Sequence, residues 1–301
     1  MIHHVFANRS NIGDWLSARG IQRLLRPHAV TEHLCDGPFV QQTLAELNQA
    51  GAEDLVVIGG CGGLFMEYFY PFWTGLRALG TRSRYCIWGV GYCDLKAEPS
   101  RPTPELLRNV VVASALCVVR DELTRRHLAD CTLAAPVPCP SLVDIDAAQR
   151  GWGMLHVDNY TTAGAAAFET MDAECRRFAA RTARPYRRTN NRIEPGREID
   201  LRQCLALYQQ SDVVVSSALH GCVIAVAMGK SVLAVSGDWK IEGFMHAAGL
   251  GDWVLDAADL SQLRTRLEAL PLQAPVPQFV HRARAENLAI ARTIRGLVVD
   301  R

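Results

Sequence analysis

The stretch that most constrains the fold is residues 211–236, SDVVVSSALHGCVIAVAMGKSVLAVS. Residues 212–217 form a short β-branched run, and residues 221–228 form an apolar run of small side chains that stops at Gly229 before a second β-branched run. The pattern predicts strand, helix, strand. The turn between the first strand and the helix carries Ser216, Ser217 and His220. Their side chains would project past the carboxyl end of a parallel strand, beside the free N–H groups of a helix start, where ligands sit in open α/β sheets. Taken alone, His220 has two readings: a group that meets a ligand, or a histidine used for capping or packing.

The first half of the chain alternates strand and helix with short connections, as a parallel sheet covered on both faces requires. Strands are expected near residues 3–7, 54–58, 85–90 and 116–119. Helices are expected from the Asn11-Ile12-Gly13-Asp14 turn to about residue 26, over 38–50, and over 121–128. Four loops then share one rim: Asn11 to Asp14, the glycine-rich turn holding Gly60 and Gly62, residues 89–91, and Arg120 at the end of its strand. Glycine-rich turns there expose backbone N–H groups to a ligand, although tight turning alone also explains glycine. No G-x-G-x-x-G or Walker spacing occurs, so the sequence supplies no sign of a nicotinamide or ATP site.

Near residues 136–140 the composition turns to proline, APVPCPSLVD, which places an expected domain boundary there: residues 1–140 and 141–301. The second half restarts with a strand at 154–157 and helices at 165–180 and 201–210. Between them the basic stretch RPYRRTNNRIEPGRE, with Arg187, Arg188 and Arg192, reads as an exposed loop able to fold over an anion. Lys240 opens a helix to about residue 248, residues 253–255 form a short strand, 260–270 a helix, and a last amphipathic helix covers 279–297. Two α/β halves with a closing helix describe a GT-B-like architecture, two Rossmann-type domains facing each other, with the closing helix expected to pack back onto the first.

Charge excludes some partners. With 32 basic against 31 acidic residues in 301, the net charge of +1 gives no general attraction for nucleic acid or an anionic membrane, so an anionic ligand has to be held locally. The ten cysteines are scattered through apolar segments without a C-x-x-C pair, which suits buried free thiols rather than a metal site or disulfides. With no charged-then-apolar leader and no apolar run of membrane-spanning length, a cytoplasmic setting without an integral membrane segment is expected.

Several of these segments, taken in order, resemble the polysaccharide pyruvyl transferase family. The Asn11-Ile12-Gly13-Asp14 turn is similar to that family's opening Asn-x-Gly-Asp. DLVVIGGCGGLF is similar to its apolar strand and triple-glycine turn, with Cys61 in place of the third glycine. VVRDELTRRHL is similar to its Arg-Asp/Glu-Leu-Ser segment, and Ser217, Leu219, His220, Gly221 and Gly229 match its carboxyl-terminal motif. Ala218 departs from that motif, in which Arg is usual.

The resemblance implies a transferase that moves pyruvate from phosphoenolpyruvate onto two hydroxyls of a sugar as a ketal, in exopolysaccharide biosynthesis, with phosphoenolpyruvate as co-substrate and no cofactor or obligatory metal. The partners it implies are a small-molecule donor on the second half and a saccharide acceptor on the first. Such chemistry needs a proton for the enol methylene, a base for the hydroxyl, and cations or N–H groups for carboxylate and phosphate. His220 is the expected acid/base or donor-contacting group, and Asp14 the expected base, unless it merely caps its helix. Asn11 would fix acceptor hydroxyls, with Gly60, Gly62, Ser216 and Ser217 lining the binding surface. Arg120 would fork onto an anion or onto an acidic neighbour such as Asp121 or Glu122, and Lys240 would reach donor phosphate or stay solvated. Two other functions fit the same architecture: a glycosyltransferase using a nucleotide sugar, and a non-catalytic or repurposed member that lost its donor clamp with the Arg at 218.

Overall fold

The computed structural model describes residues 1–80, 84–98, 102–131, 135–159, 163–193 and 201–298. Among these residues ten strands make two sheets, and every strand pairing is parallel. The first sheet holds β1 (Ile2–Phe6), β2 (Val30–Leu34), β3 (Leu55–Gly59), β4 (Arg84–Val90) and β5 (Leu116–Val119), in the order β2-β1-β3-β4-β5. The second holds β6 (Met154–Val157), β7 (Tyr186–Thr189), β8 (Val213–Ser216), β9 (Ser231–Ser236) and β10 (Val254–Asp256), in the order β10-β9-β8-β6-β7. The two halves are wound alike: the first strand of each, β1 or β6, has its second strand on one side and its third on the other. That reversal opens a crevice beyond the carboxyl ends of the flanking strands.

Inner strands such as β3 and β8 are buried along their whole length, which is why they read as unbroken apolar runs. The two strands absent from the sequence expectation, β2 (VTEHL) and β7 (YRRT), are both sheet edges with partly exposed residues. An edge strand tolerates polar and charged side chains, so neither carries the signal that betrays its neighbours. The stretch expected as an exposed loop is thereby corrected: it enters β7 through a buried Arg184, whose Nε and Nη2 sit 3.1 and 3.0 Å from the carboxylate of Asp212. Residues 194–198 of that stretch lie outside the described residues.

The halves share an apolar seam rather than a thin hinge. Ile12 and Leu16, on the helix Ile12–Leu25 of the first half, belong to the same buried cluster as Leu142, Leu219, Val223 and Phe279. The last helix, Pro277–Arg295, straddles both halves. Phe279 meets Phe244 edge-on at 5.7 Å, while Ala291 and Ile294 join the first-half cluster of Ile2 and Trp88. Asn287, buried on that helix, accepts from Trp88 Nε1 at 3.2 Å and donates to the Pro138 carbonyl at 2.9 Å. The closing helix thus packs back onto the first domain.

Two isolated antiparallel bridges also join the halves, Asn11 with Arg192 and Leu95 with Asp238. The first is flanked by Ile12 N–H to the Asn191 carbonyl at 3.0 Å and Ile193 N–H to the Ser10 carbonyl at 2.6 Å. The second is flanked by Lys96 N–H to the Gly237 carbonyl and Trp239 N–H to the Asp94 carbonyl, both 3.0 Å. No helix among the described residues is long and apolar enough to cross a membrane.

Candidate active site

Between the carboxyl ends of the two sheets lies a cavity of about 690 Å³. The first half contributes Asn11, Asp14, Cys61, Gly62, Cys93 and Arg120 to its wall, and the second contributes Asp158, Asn159, Ala218, His220, Asp238 and Lys240, with Asn190, Asn191 and Arg192 across the top. The loops after β1 and β3 and those after β6 and β8 all reach it, so both switch points open into one space.

The Asn11-Ile12-Gly13-Asp14 turn divides its work. Asn11 caps the helix, its Oδ1 accepting from Gly13 N–H at 3.0 Å, which corrects the alternative in which Asp14 is the cap. Asp14 sits in the first helical turn, buried on the cavity wall. Burial raises its pKa from 3.8 to about 6, against the opposing pull of hydrogen bonds from Cys61 and the Gly62 N–H and of the Arg120 and Lys240 charges. A carboxyl group with that pKa changes protonation close to neutral pH.

His220 stands in the first turn of the helix Leu219–Ala227, preceded by Ala218 as a cap residue that makes no side-chain hydrogen bond. Its ring lies across Gly13: a β-carbon added there would fall 2.0 Å from Nδ1. Only glycine permits that approach, which accounts for its place in the turn. Burial, and after it the charges of Arg120 and Lys240, lower the His220 pKa to about 3. The imidazole is therefore neutral near neutral pH.

Arg120 makes the ion pair that is one of its two expected readings. Its Nε donates to Asp121 Oδ2 at 2.9 Å; Nη2 lies at the same distance from that oxygen but out of alignment, a buried donor without a hydrogen-bond partner among the described residues. Asp121 is itself committed to capping its helix through Thr124 N–H at 2.8 Å. The guanidinium reaches the cavity beside Gly62, where any β-carbon would collide with Nη1 at 1.7 Å.

Lys240 is not solvated. Its Nζ lies 2.7 Å from Asp238 Oδ2 and 2.8 Å from Cys93 Sγ. Burial works against its charge, but the Cys93 sulfur and the Asp238 carboxylate outweigh that and raise its pKa, so the ammonium persists.

Three expected site residues lie elsewhere. Ser216 is fully buried inside its turn, its Oγ donating to the Ala218 carbonyl at 2.8 Å and accepting from Ala218 N–H at 3.1 Å. Ser217 Oγ accepts from Asn159 N–H at 2.7 Å and thereby ties the β6 loop to the β8 loop. Gly60, at φ +82°, is pressed against the Ala18 backbone and serves the turn. None of the three lines the cavity. Of the basic segment, Arg192 does, whereas Arg188 turns to Asp158 and Asp172 at 3.4 and 3.6 Å.

In sequence, residues 11–238 match the polysaccharide pyruvyl transferase family. The chain belongs to that family. No curated protein matches it in sequence. Solved structures agree in fold at identities too low to say more. UDP-GlcNAc 2-epimerase of Methanocaldococcus jannaschii, with UDP-GlcNAc and UDP, superimposes with a TM-score of 0.56 at 10% identity, covering 97% of this chain and 99% of that one. S. aureus MnaA with UDP gives 0.58 at 10%, covering 95% and 91%. An uncharacterised Klebsiella pneumoniae protein gives 0.55 at 13%, covering 85% and 92%. The fold is GT-B-like, two parallel-sheet Rossmann-like domains.

As a pyruvyl transferase family member, the protein has a methyl group at Ala218, on the wall of a cavity that Arg120, Lys240 and Arg192 also line. Sequence reasoning missed Cys93, Asp238, Asp158 and Asn159 at this site. Asp238, two residues past β9, could have been found as the strand-end residue just before the helix carrying Lys240; Cys93 had no signal beyond following Gly91. Nine of the ten cysteines are buried and Cys93 is the partly exposed one. No cluster of three or more His, Cys, Asp or Glu suited to a metal ion occurs among the described residues.

Proposed function

We propose that the protein transfers the pyruvyl group of phosphoenolpyruvate to two hydroxyls of a saccharide, forming a ketal and releasing phosphate. The observation that carries this reading is the meeting of Asp14, His220 and the cations Arg120, Lys240 and Arg192 in one cavity, within a chain of this family. A small donor bearing a carboxylate and a phosphate needs that concentration of positive charge, because the net charge of the whole chain offers none.

In this reading His220, protonated once the donor is bound, gives its proton to the enol methylene, the adjacent carbon becomes electrophilic, and the first hydroxyl adds as its proton passes to Asp14; the second hydroxyl then closes the ketal as the C–O bond to phosphate breaks, its proton leaving on the phosphate, and the proton on Asp14 restores His220. Arg120 and Lys240 hold the donor anion. Arrival of a multiply charged anion offsets the two cations that depress the His220 pKa, so His220 gains basicity when the donor binds. The acceptor sits near Asn11 on residues 1–140 and the donor against residues 141–301, with Arg120 reaching the donor anion from the first half across the shared cavity, in a cytoplasmic route to exopolysaccharide.

The test is thermal unfolding with phosphoenolpyruvate, inorganic phosphate and common nucleotide sugars, followed by phosphate release with a panel of saccharides. A ligand that binds only the folded protein raises its melting temperature. Stabilisation by phosphoenolpyruvate with acceptor-dependent phosphate release is expected. Stabilisation by a nucleotide sugar alone would replace the reading with a glycosyltransferase, and silence toward all of them would favour a repurposed member, for which Ala218 is the specific observation.

A further inference from the structure

The sulfur of Cys139 is enclosed by polar groups from three parts of the chain. Ser141 Oγ donates to it at 3.1 Å, Ser17 Oγ on the helix Ile12–Leu25 lies at 3.4 Å, and His220 Nε2 lies at 3.6 Å. Cys139 and both serines are buried, so each hydrogen in this cage has to end on a lone pair inside it. Ser141 already directs its hydrogen to the sulfur. The thiol hydrogen has Ser17 Oγ and His220 Nε2 as acceptors within reach, and the imidazole nitrogen is the more basic of the two. The reverse arrangement, with an Nε2–H aimed at sulfur, would give a weak acceptor two donors and leave the better acceptor unused.

We propose that Cys139 is a positioning residue for His220: its thiol donates to Nε2, holds the imidazole in the tautomer protonated at Nδ1, and makes Nδ1–H the group offered to a bound anion. Nε2 of His220 contacts Cys139, whereas Nδ1 has no hydrogen-bond partner among the described residues and lies over Gly13 at the opening of the helix. Burial first, and then the charges of Arg120 from the end of β5 and Lys240 from the helix Trp239–Ala247, keep the ring neutral, the form in which a tautomer is defined. Because the tautomer of a histidine is set by the hydrogen bond at its other nitrogen, one buried sulfur decides which face of the catalytic ring is acidic. The link to catalysis rests on the reading of His220 given above; the tautomer itself does not.

The experiment is nitrogen NMR of histidine-labelled protein near neutral pH, without substrate, with the His220 signals identified by their loss in His220→Gln. Wild type is expected to show an unprotonated, hydrogen-bonded Nε2 and a protonated Nδ1. Cys139→Ser, which keeps a donor, should preserve that pattern, and Cys139→Ala should move the ring toward a mixture of tautomers. A protonated Nε2 in wild type overturns the proposal, as does an unchanged pattern in Cys139→Ala. Should the alanine variant fail to fold, the wild-type pattern alone decides. A preserved tautomer in a protein that does not turn over phosphoenolpyruvate would remove the proposed reaction and leave this inference standing.

Discussion

His220 and Gly13 come from opposite halves of the chain, yet the imidazole of one rests on the α-carbon of the other so closely that a β-carbon would fall 2.0 Å from Nδ1. The first turn of one domain is therefore the floor for the His220 ring of the other. Gly13→Ala is expected to displace the ring and to cost about 1–3 kcal/mol in stability, the usual range for overpacking. Chemical denaturation and donor binding check it; a variant with wild-type stability and affinity would show that the halves part easily.

Asp14 makes a signed prediction. Its folded pKa is raised from 3.8 to about 6, so between those values the folded state holds a proton the unfolded state has lost, and stability falls as pH rises through that window. The shift corresponds to a loss on the order of 3 kcal/mol, complete above about pH 6. His220, lowered from 6.5 to about 3, acts in the opposite sense and gains stability as pH rises. The comparison is therefore between variants: Asp14→Asn should be more stable than wild type above pH 6, with the difference vanishing near pH 4, while turnover is lost. Equal stability at both pH values would refute the raised pKa.

His220→Ala is expected to lower turnover at least about a hundredfold with the fold intact, the scale for a positioned acid or base. A small loss, measured as phosphate release, would return His220 to a packing role.

Lys240→Ala should lose donor affinity and stability together, because it strands the fully buried Asp238 carboxylate 2.7 Å away. Adding Asp238→Asn is expected to recover much of the stability and none of the affinity. Recovery of both would mean that Lys240 serves only its ion pair.

Ala218→Arg should strengthen phosphoenolpyruvate binding about tenfold to a hundredfold if a charged hydrogen bond of roughly 1.5–3 kcal/mol is all that is missing. Calorimetric titration of both proteins measures it. No gain, with a response of the wild type to another anion, would mean that Arg120, Lys240 and Arg192 are arranged for a different donor.

The parts of this fold legible in the sequence are those whose physics is local. β5 and β6 occupy the expected residues because nearly all their side chains are buried and apolar, His156 being the polar exception. The edge strands β2 and β7 were illegible because half their surroundings are solvent or a neighbouring ion pair. At the site, strand ends pointed to Asp14, Arg120 and His220, all on the cavity wall. Ser216 and Ser217 were misread because a hydroxyl bonded within its own turn looks, in sequence, the same as one offered to a ligand. Cys139 had no local signal at all, since its partner His220 is 81 residues away.

The two bridges that pair Asn11 with Arg192 and Leu95 with Asp238 stitch backbone to backbone at sites that line the cavity. Spreading the halves breaks those stitches and opens the apolar seam of Ile12, Leu16 and Leu219 to water. Widening of this cavity is thus coupled to the cohesion of the protein itself, so the entry of any molecule too large to pass between the stitches should quicken with temperature as unfolding does.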